Sequence, residues 1–197
     1  MDDLLDLIGG TDIYLLDQVL KGRYGRGGSI LDAGAGHGRN LTWFARQGFD
    51  AHGVDENAAA VTRLRSRYDG LPAGNFQVAS LEALPFPDAR FDHVICCAVL
   101  HFARDPEHFE AMFGELARVL KPGGSLFARV ATDFGMGEGL APLGEGRFHL
   151  PDGSDRFLMT RPMLDAGMAR HGLRWLEPFK AVLVDGLRSM SVVVVGK

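Results

Sequence analysis

Short apolar runs of strand length alternate along this chain with stretches in which apolar residues recur at helical spacing. The runs that read as strands are Ser29 to Ala33, Ala51 to Val54, Phe76 to Ala79, Phe91 to Ala98 and Ser125 to Ala131. Between them lie helical patterns over Arg39 to Gln47, Asn57 to Tyr68 and Pro106 to Leu120. In the last of these, Asp105 can cap, Pro106 suits the first turn, and Phe109, Met112, Phe113, Leu116 and Leu120 share one face. Lys121-Pro122-Gly123-Gly124 then ends it. Alternation of strands with crossover helices predicts an α/β fold: a mainly parallel sheet covered on both faces.

The last third loses this rhythm. From Ala131 to about Thr160 the chain carries six glycines between Gly135 and Gly153, with Pro142 and Pro151. Such a stretch is too long for a simple connection and is expected to form a cap, residues 132–160, over a site. A helix over Pro162 to His171 should follow. Two apolar runs, Trp175 to Val184 and Ser191 to Val195, are then separated by Asp185-Gly186-Leu187-Arg188 and suggest a terminal hairpin. No internal repeat or low-complexity segment is visible, so residues 1–197 are read as one domain.

Composition narrows the class. With 197 residues, 46% hydrophobic and 23% charged, the chain can bury a sizeable core. A net charge of −4 argues against a general nucleic-acid surface. The two cysteines, Cys96 and Cys97, are adjacent in a strand pattern that sends them to opposite faces, which excludes a disulfide framework. No apolar run approaches membrane-spanning length, and Met-Asp-Asp-Leu-Leu-Asp at the start lacks the bases of a signal peptide. A cytoplasmic protein is expected, acting as a monomer or homodimer, without nucleic-acid or membrane partners. Asp2, Asp3 and Asp6 read as a solvated helix start.

The densest chemistry lies in Ser29-Ile-Leu-Asp-Ala-Gly-Ala-Gly-His-Gly-Arg-Asn40, an apolar run closed by an acid and three alternating glycines. Glycines there permit a sharp turn and close approach of a ligand to backbone amides at a helix start. The dinucleotide fingerprint would need a further glycine where Arg39 stands. Asp55 ends the second strand twenty-one positions after Gly34, the spacing of an acid that holds ribose hydroxyls. The plainer reading of Asp55 is a cap for the following helix.

This glycine turn resembles motif I of the class I S-adenosylmethionine-dependent methyltransferases. The likeness continues through Asn75 to Asp88, Phe91 to Phe102 and Arg118 to Gly124, in the family's usual order. The resemblance implies a Rossmann-like three-layer sandwich with a seven-stranded, mostly parallel sheet whose terminal strand is antiparallel. It also implies S-adenosylmethionine as cofactor and S-adenosylhomocysteine as product. Carried onto this chain, the cofactor-binding residues would be Asp32, Ala33, Gly34, Ala35, Gly36, Asn40, Asp55, Glu56, Ser80, Leu81 and Ala98. Ser80 stands where many relatives have an acid facing the adenine amino group, so a charge-assisted bond becomes a neutral one. Finer similarity points both to tellurite-resistance-type and small thiol or metalloid methyltransferases and to the ubiquinone-biosynthesis-like group.

Methyl transfer is an in-line displacement on an already activated carbon, and it needs alignment more than a catalytic side chain. A general base is required only where the nucleophile carries a proton. His101, after the fourth strand, is the first residue to test as that base, and its ordinary pKa would suit neutral pH. It could equally pack without titrating. His37 could border the methionine pocket or face water. Arg147, His149, Asp155 and Arg156 fall in the cap, and Arg188 in the final turn could meet an anionic substrate. No metal-ligand spacing occurs. The expected function is methyl transfer to a small-molecule acceptor such as a thiol, metalloid oxyanion or small metabolite. Alternatives are an S-adenosylmethionine-binding protein without transferase activity and an NAD(P)-dependent oxidoreductase.

Overall fold

A computed structural model describes residues 4–137 and 140–197. Two short helices, α1 (Leu4–Ile8) and α2 (Ile13–Leu20), precede β1 (Ser29–Ala33), α3 (Thr42–Arg46), β2 (Asp50–Asp55), α4 (Ala58–Arg67) and β3 (Phe76–Val78). Then come β4 (Phe91–Cys97), α5 (Pro106–Val119) and β5 (Leu120–Ala131). The last third contains β6 (Ala141–Gly144), β7 (Arg147–His149), β8 (Asp155–Phe157), α6 (Arg161–Arg170), β9 (Arg174–Trp175), β10 (Lys180–Val184) and β11 (Arg188–Gly196). Asp6 lies exposed in α1, while Asp2 and Asp3 fall outside the described residues.

The main sheet runs β10-β11-β5-β4-β1-β2-β3, with β9 added to the end of β11. β1 to β5 pair in parallel, and β11 is antiparallel to both β5 and β10. This is the expected seven-strand path with its antiparallel terminal strand. Alternation along each strand makes the three layers. Leu31, Val94, Leu126 and Val193 face α5 and α6, where Phe113, Leu116 and Leu164 close one core. Ile30, Ile95, Phe127 and Val194 face the other way, where Leu15, Phe44 and Leu64 from α2, α3 and α4 close the second. Cys96 and Cys97 enter opposite cores, as a strand's two-residue period requires.

The segment after β3 and the end of α5 are tied to each other. Arg118 donates to the carbonyls of Leu84 and Phe86, at 3.1 and 2.8 Å, and pairs with Asp88. Glu115 accepts from the Leu84 amide at 2.8 Å. Leu84-Pro-Phe-Pro-Asp88 is thereby strapped across α5.

Three boundaries differ from expectation. α3 starts at Thr42 rather than Arg39, because the glycine turn continues through Leu41, whose amide donates back to the Gly38 carbonyl. β5 begins at Leu120, since Lys121-Pro122-Gly123-Gly124 stays extended, with a register shift opposite Phe91 to His93. The run Trp175 to Val184 divides into β9 and β10 around Pro178, which has no amide to give to a ladder.

Residues 132–160, the segment expected to cap a site, contain a three-stranded antiparallel meander, β6-β7-β8. It is rooted in the core by Phe157, fully buried and stacked on Phe109 at 5.5 Å between centroids, and by a bridge between Thr132 and Met159.

Candidate functional site

Strand order reverses between β1 and β4, and in open α/β sheets ligands enter outside the carboxyl ends of the strands at such a point. A cavity of about 350 Å³ opens there. It is lined by Gly34 after β1, Asp55 and Glu56 after β2, Leu81 after β3, and Cys97, Ala98, Val99 and Phe102 after β4. Arg104, His108 and Met112 close its far side. We call it the first chamber.

The glycine turn forms its floor. The Gly34 and Ala35 amides both donate to the Val54 carbonyl at 2.9 Å, clamping the turn to β2. Gly34 has φ +81, and a Cβ there would lie 2.3 Å from a methyl of Val99, so this position excludes every other residue twice over. Gly36, at φ +54, has open space where a side chain would be. Gly38 lets α4 pack close, since a Cβ would meet Leu64 and Tyr68 at 2.6 and 2.7 Å.

Asp32 lies beneath this turn, 1% exposed; among the described residues neither carboxylate oxygen makes a well-formed hydrogen bond, and the nearby Asn40 side chain offsets only a small part of the burial. Burial pushes its pKa up to about 7, opposed by the charge of Arg39 and assisted by that of Asp55. Ala33 and Ala35 are buried around it. Asn40 is also buried, but it does not line the chamber: its side-chain oxygen accepts from the Asp12 amide at 3.1 Å and ties the turn to α2. Ser80 is half-buried and likewise off the wall, whereas its neighbour Leu81 is on it. His37 points outward and accepts from Arg63 at 3.1 Å.

Asp55 does not cap α4. Asn57 does, accepting from the Ala59 and Ala60 amides at 2.9 and 3.3 Å. The Asp55 carboxylate instead accepts from the Gly36 amide at 2.8 Å and the Asn57 amide at 2.9 Å, which aims it along the chamber rim. Each oxygen keeps further accepting capacity for a ligand.

Ala98 and Phe102 form the partition to a second chamber of about 460 Å³. Its walls are His101, Arg129, Ala131, Leu150, Asp152, Ser154, Arg156, Arg188 and Met190. Ala98 holds φ +64, a left-handed conformation that is strained for alanine and sits where both chambers meet. His101 is 6% exposed and its Nδ1 has no partner. Burial, with the charge of Arg156, lowers its pKa to about 4 rather than leaving it near neutrality. Arg147 and His149 lie exposed on the meander, where the His149 ring pairs with exposed Asp155 at 2.6 Å.

Of the residues expected at a cofactor, five line the first chamber: Gly34, Asp55, Glu56, Leu81 and Ala98. Cys97, Val99 and Phe102 flank an expected residue at the β4 terminus, a position the topology rule could have supplied. Arg104, His108 and Met112 carried no such signal; Met112 sits at helical spacing and reads as core.

Residues 31–128 match the family described as a methyltransferase domain. The chain is 34% identical over 102 residues to phthiotriol/phenolphthiotriol dimycocerosates methyltransferase 1 of Mycobacterium ulcerans, a match covering 51% of this chain and 36% of that protein. The chain thus spans little more than a third of this relative. Its fold is similar to that of a solved S-adenosylmethionine-dependent methyltransferase from Methanosarcina mazei, with TM-score 0.73 and 22% identity, covering 91% and 96% of the two chains. It is also similar to Burkholderia thailandensis 1,6-didemethyltoxoflavin-N1-methyltransferase, solved with 1,6-didemethyltoxoflavin and S-adenosylhomocysteine bound, with TM-score 0.70 and 20% identity, covering 99% and 81%.

Proposed function

We propose, from the premise that the chain belongs to the class I S-adenosylmethionine-dependent methyltransferases, that it transfers a methyl group to a small molecule held in the second chamber. The observation that carries this reading is the meeting of two chambers at Ala98 and Phe102, one floored by the glycine turn and the other roofed by the cap.

The first chamber fits the cofactor by its own chemistry. Asp32, buried beneath the turn with no well-formed hydrogen bond among the described residues, suits a cationic methionine end, and the side-chain-free space at Gly36 leaves room for it. Asp55, held by two backbone amides, would accept from ribose hydroxyls, and Leu81 would border the base. When bound, S-adenosylmethionine supplies a methyl group activated on a sulfonium.

The chain's own contribution is alignment and exclusion of water. The partition at Ala98 and Phe102 sets the line between the two ligands, and the cap isolates the acceptor. His101 lines the second chamber and is neutral at pH 7, so its ring would be the group to accept the proton of an acceptor hydroxyl or amine. Both thiols are buried and unpaired, in keeping with a cytoplasmic enzyme. No helix among the described residues is long and apolar enough to cross a membrane.

Thermal denaturation with S-adenosylhomocysteine tests the reading. At about 100 times its dissociation constant the ligand adds about 2.7 kcal/mol, or roughly 5–10 °C in Tm for a domain of this size. No shift with either the cofactor or its demethylated product, alongside a shift with NAD(H), refutes it. Transfer of labelled methyl to a panel of small acceptors then separates an enzyme from a binding protein.

A further inference from the structure

We propose that the second chamber takes an acceptor bearing a carboxylate, with Arg156 as its ion-pair partner, so that the methyl acceptor is a small monoanion with an apolar body. This rests on the methyltransferase reading and names the substrate class of that same site.

Three guanidiniums reach this chamber from three different strands: Arg129 from β5, Arg156 from β8 and Arg188 from β11. Two already have carboxylate partners. Arg129 pairs with buried Asp12 at the start of α2, and Arg188 pairs with Asp152 at 3.2 Å. Asp152 is itself oriented by Ser154, whose hydroxyl and amide donate to it at 2.6 and 3.0 Å. Arg156 has no carboxylate partner among the described residues. It donates to the Asp155 carbonyl at 2.8 Å, and its guanidinium lies 5.0 Å from the centroid of the Phe102 ring. Stacking on Phe102 fixes the fork at the partition between the chambers while leaving most of its five donors free.

The charge count selects among anions. His101 contributes no positive charge at neutral pH, so one guanidinium is left uncompensated. A carboxylate neutralises it, and a planar guanidinium meets a carboxylate by two parallel hydrogen bonds. A phosphate dianion would leave a surplus negative charge in a partly desolvated pocket, beside Asp152.

The opposite wall defines the rest of the ligand. Ala98, Ala131, Leu150 and Met190 are apolar, and three of them belong to a small core shared with the cap. A cavity of about 460 Å³ with one apolar side and one free cation suits an aromatic or short aliphatic acid. Such an acid reacts in one of two balanced ways. A carboxylate oxygen, or a second nucleophilic atom of the acid, forms a bond to the methyl carbon while the sulfur–carbon bond breaks and its electron pair stays on sulfur. In the second case the nucleophile's proton passes to His101.

The test is calorimetric titration of hexanoate and benzoate into protein saturated with S-adenosylhomocysteine, with hexanamide, benzamide and phenyl phosphate as comparisons. The expected result is that at least one acid binds about tenfold or more tightly than its amide, the scale of one charged hydrogen bond. R156Q should remove that preference, and R156K should restore part of it. The proposal is overturned if the amides bind as well as the acids, if phenyl phosphate binds more tightly than benzoate, if R156Q leaves the preference intact, or if none of the acids binds. Binding of S-adenosylhomocysteine is read in the same titrations. Its absence refutes the methyltransferase premise, whereas its presence with no acid bound refutes only the carboxylate.

Discussion

The first chamber is built largely from chain turns and the second largely from side chains. Around the first, Gly34 and Gly36 follow β1, Asp55 ends β2 and Ala98 follows β4; the Gly34 and Ala98 amides donate to the carbonyls of Val54 and Arg129, and the Gly36 amide donates to the Asp55 carboxylate. Around the second, Arg129, Arg156 and Arg188 arrive from β5, β8 and β11 and are oriented by ion pairs and a ring contact. A wall of backbone tolerates little substitution, because neither φ nor a missing Cβ can be compensated nearby. A wall of side chains can change its ligand by exchanging one residue. The difference teaches why one fold can keep its donor while its acceptors diverge.

That contrast can be broken most directly at Gly34. Substitution by alanine places a Cβ 2.3 Å from Val99 at φ +81, and should cost about 2–5 kcal/mol of stability with loss of measurable S-adenosylhomocysteine binding. Adding V99A should recover some stability but not all, since the backbone strain remains. Full recovery, read by thermal melting, would mean that contact alone demands glycine.

D55A should be the next largest effect. Losing two charge-assisted acceptors weakens S-adenosylhomocysteine binding by about 100-fold. An affinity unchanged in calorimetry would assign Asp55 to holding the turn only.

Asp32 gives a pH-dependent version. Its folded pKa of about 7 lies above the ordinary 3.8, so the protonated form is favoured by folding. This group's contribution to apo stability is therefore greatest below about pH 4 and declines as pH rises to about 7. A cationic ligand end favours the ionised form, so affinity should rise about tenfold from pH 6 to pH 8, with proton release on binding. D32N should flatten both trends; a pH dependence that survives in D32N would locate the titration elsewhere.

The smallest effect on cofactor binding belongs to the second chamber. H101Q should leave S-adenosylhomocysteine binding within about twofold and lower turnover by about tenfold or more only for acceptors that must lose a proton, the usual scale of a general base being about 100-fold. With its pKa near 4, His101 is neutral throughout pH 6 to 8, so a rate limb within that window must persist in H101Q.

Legibility followed the same division. The parallel strands, the turn with Asp32 and the spacing to Asp55 could be read because each is a local pattern: an apolar run, a residue without a Cβ, an acid at a strand end. The pairing of Arg118 with Leu84-Pro-Phe-Pro-Asp88 joins two separate sequence motifs, but the contacts themselves span 30 and 34 positions. The tie from Asn40 to α2 was hidden for the same reason, since its partner Asp12 lies 28 positions upstream.

What the sequence by itself determined is the order of the layers and the chamber floor, because strand period and glycine conformation act over a few residues. Only the tertiary structure decided that the segment after β5 is a meander rooted by Phe157, that Arg156 has no carboxylate partner among the described residues, and that His101 is held neutral. Those properties depend on burial and on charges brought together from distant strands, and neither burial nor long-range charge is a local quantity.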